Sequence, residues 1–401
     1  MRHHGKLPSI GFLSTYPPTS CGLATFTSAL RGAIAEDRGT DAGLGVVSLV
    51  DTGATTPRPE VVCQHINSDH RSLSRAINAL NSFDVVFIQH EYGIYGGPDG
   101  SEILDLMAGL KVPAIVTLHT VLSRPSPHQW SLLRDVVKRA TRVVIMSETA
   151  RQRLVRDYRV DAAKVQVIPH GAKASLAGPS LADGSRPVAL TWGLIGPGKG
   201  LETAIDAFAG LKDLRPLPRY IILGKTHPKV QASQGDTYLA DLATRVHDLG
   251  LDDLVEFDTR YPDGDALAAE VRRANLVVLP YESTDQVTSG VLVEALAAGK
   301  PVIATAFPHA VEVLTSGAGM VVPHGDPIAM RDRLRTVLTN PSVADRMSAE
   351  ARRIGSNLYW PSVAHKYGRL ATEVATQHEG AQLLTTTTIP ETAIDAFANA
   401  S

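Results

Sequence analysis

Cysteine, aromatic residues, excess charge of either sign and long apolar runs are all scarce in this sequence, and each scarcity removes a class of protein. Two cysteines occur in 401 residues, Cys21 and Cys63. They stand far apart with no C-x-x-C spacing, which argues against a disulfide framework or a structural zinc site and suits a reducing cytoplasm. Phe, Trp and Tyr together make 5%, too few for a nucleic-acid stacking platform. Lys plus Arg number 39 against 41 Asp plus Glu, a net charge of −2. No global basic field argues for a nucleic-acid partner. No apolar run approaches the ~18–20 residues that span a bilayer, and the opening "IGFL" is too short for a signal-peptide core. A soluble cytoplasmic protein is expected.

What the chain does have is one alternation, run through twice. Hydrophobic residues make up 44% and charged residues 20%, an ordinary globular balance with ample material for cores. The length suggests two or three domains at roughly 150 residues each. Short apolar runs bounded by Gly, Pro or polar clusters read as buried parallel strands: "SIGFLS", "GLGVVSLV", "DVVFIQH", "PAIVTLH", "RVVIMS" and "VQVIPHG". Helix-length segments such as Ala24–Glu36, Ser72–Asn81 and His128–Arg139 lie between most of them. This alternation predicts a doubly wound α/β sheet. The small, polar stretch "AKASLAGPSLADGSRP" reads as a linker. The rhythm then restarts with "VALTWGLIG", "RYIILG", "LVEFD", "LVVLPYE", "PVIAT" and "GMVVP". Two Rossmann-like domains of similar size, residues 1–178 and 187–358, are expected to face a cleft. A helix over 359–377 and a loosely ordered tail over 378–401 follow. Ligands in such sheets bind beyond the carboxyl ends of the strands, so the loops there should carry the chemistry.

Four such loops stand out. "STYPPTSCGLATFTSAL" is a Pro/Gly turn after the first strand. Gly22 permits close backbone approach there, and the helix start offers free N–H groups to an anion; a plain strand-to-helix turn reads the same way. In "AIVTLHT", His119 ends an apolar strand, where a histidine is either structural or functional. In "TWGLIGPGKGLETAIDAF", Gly196, Gly198 and Gly200 surround Lys199 just before a helix. The spacing is neither G-x-G-x-x-G nor G-x-x-x-x-G-K-[ST]. A lysine held by glycines at a helix start still suits a phosphate, against the alternative of a solvated loop lysine. In "LPYESTDQVTSGVLVEALAAGKPVIAT", a helix starting at Ser289 aims the N–H groups of Gly290 and Val291 at the cleft. Every side chain from Val291 to Ala298 is apolar except Glu294. A helix apolar all round is usually buried, where a carboxylate needs a partner. A vicinal diol such as ribose is one candidate; a lysine on a half-exposed seam is the other.

Taken together, "PPxxxG", "TLHT", "VIPHG", "GxxxxxKG" and "EALAAGKPVIAT" resemble, in order, spacing and content, the retaining glycosyltransferases of family four in the glycogen-synthase-like superfamily. These have the GT-B fold, an α/β arrangement of two Rossmann-like doubly wound domains facing a central cleft. The likeness runs from "STYPPTSCGLATF" to "LYWPSVAHKYGRLATEV", which resembles the family's closing helix, the one that crosses back to the first domain. It implies transfer of a hexose of mannose or glucose type from a nucleotide-diphosphate sugar, GDP- or UDP-linked, to a saccharide or glycoconjugate acceptor. Anomeric configuration would be retained, with no metal and no cofactor. By position, the resemblance gives Glu294 the ribose, Lys199 the diphosphate with Gly198 and the helix start Ser289–Gly290–Val291, and His119 the donor sugar. Gly22 and its loop would line the sugar and acceptor region.

Two departures matter. The family has Glu at both ends of an E-x7-E element, and here the first is Gln286. An amide still hydrogen-bonds a sugar hydroxyl but lacks the charge to support an oxocarbenium-like transition state. An Arg commonly follows the glycine that begins the lysine loop, and here that position is Leu194. Lys225 and His227 in "GKTHPKV", or Arg260, are candidates to take its place on the diphosphate. No carboxylate is evidently placed as a nucleophile on the sugar's far face, as double displacement needs. The resemblance implies front-face attack instead, the leaving phosphate taking the acceptor's proton, with His119, Lys199 and Gln286 nearest the chemistry. Two readings stand beside transfer: a GT-B sugar phosphorylase or sugar-nucleotide epimerase, and a catalytically weakened, sugar-nucleotide-binding regulatory subunit.

Other signals carry less. "DGD" at Asp263–Asp265 matches the metal-binding DxD of the other glycosyltransferase fold, but it directly precedes "ALAAEVRRA", which makes Asp265 a helix cap. Lys138, Arg139, Arg142, Arg151, Arg153, Arg156 and Arg159 cluster in the first domain. A solvated helical face is one reading; peripheral contact with an anionic membrane at its inner face, as some relatives make, is the other. Oligomeric state has no signal in the sequence.

Overall fold

The apolar runs become two parallel sheets in the computed structural model, which describes residues 7–19, 21–52, 57–174, 185–262 and 264–386. The first sheet holds Ile10–Ser14 (β1), Leu44–Val50 (β2), Val61–Ile66 (β3), Val85–His90 (β4), Ala114–Leu118 (β5), Arg142–Ile145 (β6) and Val165–Val167 (β7), in the order β3-β2-β1-β4-β5-β6-β7. The second holds Val188–Trp192 (β8), Arg219–Leu223 (β9), Val255–Asp258 (β10), Leu276–Leu279 (β11), Val302–Thr305 (β12) and Gly319–Val322 (β13), in the order β10-β9-β8-β11-β12-β13. Strands β1, β2, β4 and β5 are buried along their whole length, as parallel strands covered on both faces must be. In each sheet the order reverses beside the first strand, between β1 and β4 and between β8 and β11. Those switch points open crevices at the carboxyl ends.

Helices α1 (Gly22–Arg38), α2 (His70–Leu80), α3 (Ile103–Ala108), α4 (Pro127–Arg139) and α5 (Glu148–Asp157) belong to the first domain. The second has α6 (Leu201–Ala209), α7 (Pro228–Gln234), α8 (Thr237–Asp248), α9 (Gly264–Arg273), α10 (Gly290–Ala297), α11 (Pro308–Leu314), α12 (Pro327–Thr339) and α13 (Pro341–Gly355). The last helix, α14 (Trp360–Thr386), lies on the first domain. Its Val363, Ala364, Tyr367, Leu370 and Ala371 are buried with Phe12 and Phe87, and Tyr367 meets Phe87 edge-on at 5.4 Å.

Three features differ from the sequence expectation. Strand β3, "VVCQHI", went unread because it is an edge strand, paired only with β2 and half-exposed, so polar residues interrupt it. Helix α14 continues past residue 377 to Thr386, where a loose tail was expected. Helix α9 starts at Gly264, so Asp265 lies in the first turn instead of capping it, and its carboxylate pairs with Lys173 at 3.0 Å. Asp263, most of the expected linker and the end of the tail lie outside the described residues.

Candidate active site

Loops from β8, β9 and β11 meet at the second sheet's switch point, and glycine makes their contact possible. A Cβ on Gly224 (φ +143°) would lie 1.9 Å from the Gly193 carbonyl oxygen, and one on Gly200 (φ +65°) would lie 1.9 Å from that of Pro280. Only glycine fits either position. This seating places Lys199: the Glu282 N–H donates to the Gly198 carbonyl at 3.0 Å, and the Lys199 ammonium stands 4.6 Å from the centre of the Tyr281 ring. Burial lowers the Lys199 pKa, with no charged neighbour contributing. An ammonium held in this way, against a ring face and without a carboxylate, favours an anion.

Tyr281 links the lysine to the next element. It is buried, its hydroxyl hydrogen-bonds Ser289, and burial raises its pKa. Ser289 caps α10, accepting from the Leu292 N–H at 3.2 Å, while its own N–H donates to His309 Nδ1 at 2.9 Å. The N–H groups of Gly290 and Val291 then head the helix, as first-turn donors that no helical carbonyl can satisfy. One turn on, Glu294 accepts a hydrogen bond from Trp192 Nε1 at 3.1 Å. Burial pushes its carboxyl pKa up and the Trp192 bond pulls it back. The protein partner of this carboxylate is thus an indole at the end of β8, not a lysine.

The first domain supplies the opposite wall. His119, just past β5, is hydrogen-bonded through Nε2 to Gln89 Oε1 at 2.8 Å. Its ring meets Phe26 edge-on at 4.9 Å, and Phe26 also meets His170 at 4.9 Å and Trp360 at 5.4 Å. His170 Nε2 lies 3.0 Å from where a side chain on Gly290 would begin. An imidazole of the first domain therefore covers the N-terminus of α10. Burial, with smaller contributions from His170 and His90, pushes the His119 pKa down to about 3. Burial likewise takes His170 and His309 down to about 4. These rings are neutral near pH 7, offering hydrogen bonds without charge. At Gly22 an added Cβ meets nothing within 4 Å, so what the glycine leaves there is open space. Beside it Cys21 caps α1, its Sγ accepting from the Ala24 N–H at 3.4 Å.

The structure links Lys199 through Tyr281 to Ser289 and the helix of Gly290, Val291 and Glu294, and His119 reaches that helix start through Phe26 and His170. Gly198 (φ +83°) stands open beside Lys199. Gln286 is half-buried, and its carbonyl accepts from the His309 N–H at 3.3 Å, so His309 staples it to the helix start. Lys225 lies 4.9 Å over the Tyr261 ring, and the His227 N–H donates to the Ile195 carbonyl at 2.7 Å along the lysine loop. Arg260 is removed as a phosphate ligand, being held by Asp258 and Glu270. The basic cluster is not one face: Arg142, Arg151 and Arg156 pair with Glu373, Glu148 and Asp157, and Arg153 is buried against Asp285. Sequence reasoning missed Trp192, Tyr281, His170 and His309. The first two close strands at the carboxyl edge, as His119 does, so the rule that flagged the histidine would have found them.

Two parallel sheets of this topology, with a lysine and a helix N-terminus of one domain beside a neutral imidazole of the other, define the class: the chain has the GT-B fold. Solved glycosyltransferase structures share it. Anabaena Alr3699/HepE in complex with UDP superposes with a TM-score of 0.72 at 18% identity, covering 91% of this chain and 100% of that one. Sucrose-phosphate synthase from Thermosynechococcus elongatus gives 0.71 at 18%, covering 92% and 100%. Residues 27–175 match the model described as Glycosyltransferase Family 4, and residues 174–354 that of Glycosyl transferases group 1. The chain is thus similar to these glycosyltransferase families, one over each of its two domains. Similar curated proteins include a D-inositol 3-phosphate glycosyltransferase of Kineococcus radiotolerans, 29% identical over 58% of this chain and 57% of that one. A phosphatidyl-myo-inositol mannosyltransferase of Mycobacterium leprae is 28% identical over 47% and 46%. The chain thus matches about half of these relatives' length.

Proposed function

We propose that this chain is a retaining, metal-independent hexosyltransferase that moves a sugar of mannose or glucose type from a nucleotide-diphosphate sugar to a saccharide or glycoconjugate acceptor. The observation that carries the reading is the convergence of Lys199, the start of α10 and Glu294 at one switch point, with His170 of the first domain against that helix start. Glu294 Oε2 holds the Trp192 N–H and the carboxylate keeps further lone pairs for a ribose diol. Lys199 and the α10 N–H groups meet the diphosphate, the charge that grows as the sugar leaves. Gly198, Lys225 and His227 line that side, with Gly22 opening the acceptor region. His119 and Gln286 orient the sugar as neutral hydrogen-bonding groups, and the departing phosphate takes the acceptor's proton. The UDP in the name of one similar structure and the inositol in the names of the similar curated proteins support a UDP-linked donor and a polyol-bearing acceptor; a GDP-linked donor is the alternative. No described helix is long and apolar enough to cross a membrane; the proposed setting is the cytoplasm, with acceptors at its inner membrane face where they carry lipid.

The test is a thermal-shift panel of UDP, GDP, ADP and orthophosphate on the intact chain, followed by mass spectrometry of products from a donor-by-acceptor array. A nucleoside-diphosphate shift with transfer supports the proposal. A shift with orthophosphate alone replaces it with a phosphorylase, and nucleotide binding without hydrolysis or transfer replaces it with a regulatory subunit.

A further inference from the structure

Gln286 belongs to the second domain by sequence, yet its immediate neighbours are held by the first. Val287 is 2% exposed and is buried among first-domain core residues, including Val121, Leu154 and Tyr158. The Ser147 hydroxyl donates to the Val287 carbonyl at 2.6 Å. On the other side, the Ser123 N–H donates to Asp285 Oδ1 at 3.1 Å. Arg153 Nη1, from α5, donates to the Val121 carbonyl at 2.6 Å and to the carbonyl and Oδ1 of Asp285 at 3.2 and 3.3 Å. Arg153 is 8% exposed. A second tie lies beside it: the Glu148 and Thr149 N–H groups, at the start of α5, donate to the two carboxylate oxygens of Glu312 in α11, at 2.8 and 2.7 Å. A carboxylate at a helix N-terminus gains both the charge-assisted bonds and the helix dipole.

We infer that the start of α5 is a docking element that positions Gln286 for transfer, with Arg153, Val287 and Glu312 acting as positioning residues. The inference rests on the transferase reading for its chemistry. Asp285 and Val287 pin the backbone on both sides of Gln286, so this side chain faces the sugar in register only while the domains are together. Closing the cleft and completing the site are then one event. The amide is set by its neighbours in the other domain, and its own carbonyl is held by His309.

The experiment uses the intact chain carrying Asp285→Asn with Glu312→Gln, near-isosteric changes that leave Arg153 and both cores in place. Hydrogen bonds to charged groups are worth enough that losing this pair should shift the closed population about tenfold. Expected is a fall of about tenfold in kcat, with the nucleotide thermal shift unchanged and hydrogen exchange faster at residues 285–289 and the start of α5. In a Gln286→Ala background the same pair should cost clearly less, because the part of the loss that runs through this amide is already gone. Unchanged exchange overturns the docking whatever the chemistry. An equal loss of kcat in both backgrounds, or a lost nucleotide shift, overturns the positioning role. Failure of the transferase reading shows separately, as no nucleotide shift in the unaltered chain.

Discussion

Replacing Trp192 by Phe would remove the N–H and part of the ring, and its pH dependence tests the chemistry of Glu294. That N–H donates to Glu294 Oε2 at 3.1 Å and opposes the burial that pushes the carboxyl pKa up. A hydrogen bond to a charged group contributes roughly 1.5–3 kcal/mol, and each ~1.4 kcal/mol of lost anion stabilisation moves a titration by about one pH unit. The ionised carboxylate is the form that accepts both hydrogens of a diol. Nucleotide affinity should therefore be lost as pH falls through the Glu294 pKa, and the substitution should move that loss to higher pH. At alkaline pH the variant should bind UDP or GDP about as the unaltered protein does, and its affinity should fall away from the parent's as the pH is lowered. Isothermal titration calorimetry between about pH 5.5 and 8.5 measures it. Superposable pH profiles would refute a role for Glu294 in holding ligand. A loss that is equal at every pH would show that the indole contributes by packing and not by holding the carboxylate ionised.

Lys199→Ala should cost about 2–4 kcal/mol of transition-state stabilisation, the scale of one lost oxyanion donor. Transfer kinetics check it, and turnover like that of the unaltered chain removes the phosphate assignment. Gly200→Ala should lower stability by at least ~2 kcal/mol, since a Cβ there meets both a positive φ and the Pro280 oxygen at 1.9 Å; a thermal melt within a degree or so of the parent contradicts the seating. Acid should weaken the fold through His90 and His309, which burial holds at a pKa of about 4. A folded pKa below the unfolded value of ~6.5 means the unfolded chain takes the proton first. Stability is then full above about pH 6.5 and falls toward pH 4, by up to on the order of 3 kcal/mol per ring. Urea midpoints against pH test this, and His309→Gln should flatten the slope.

The parallel sheets were legible because strands buried on both faces leave continuous apolar runs, and only the half-exposed β3 escaped that signal. The lysine loop was legible through its glycines, whose close approaches to Pro280 and Gly193 are the reason that they are there. The partner of Glu294 was not, since Trp192 is distant in sequence and a single tryptophan has no periodicity. Arg153 was misread for a related reason. Amid seven basic residues it looked like part of a charged face, and only the fold shows that its targets are backbone carbonyls and Asp285 in the interface.

The two departures from the family pattern are opposite in sign. On the pattern that the resemblance implies, Gln286 stands in place of a carboxylate and Leu194 in place of a guanidinium, so the two departures offset each other in charge. The surroundings do not disturb that balance: the imidazoles of His119, His170 and His309 are neutral near pH 7, and Arg260 is held by Asp258 and Glu270. On the proposed reading the diphosphate is met by Lys199 and the start of α10, with Lys225 beside them. On this argument restoring one member alone is worse than restoring neither. Gln286→Glu adds a carboxylate near the leaving phosphate with no guanidinium to offset it, and should reduce kcat/KM. Adding Leu194→Arg should recover it, with a favourable coupling of about 1 kcal/mol or more in the double-mutant cycle. A coupling near zero would mean that the two changes are independent losses and that the pocket is not balanced as a unit.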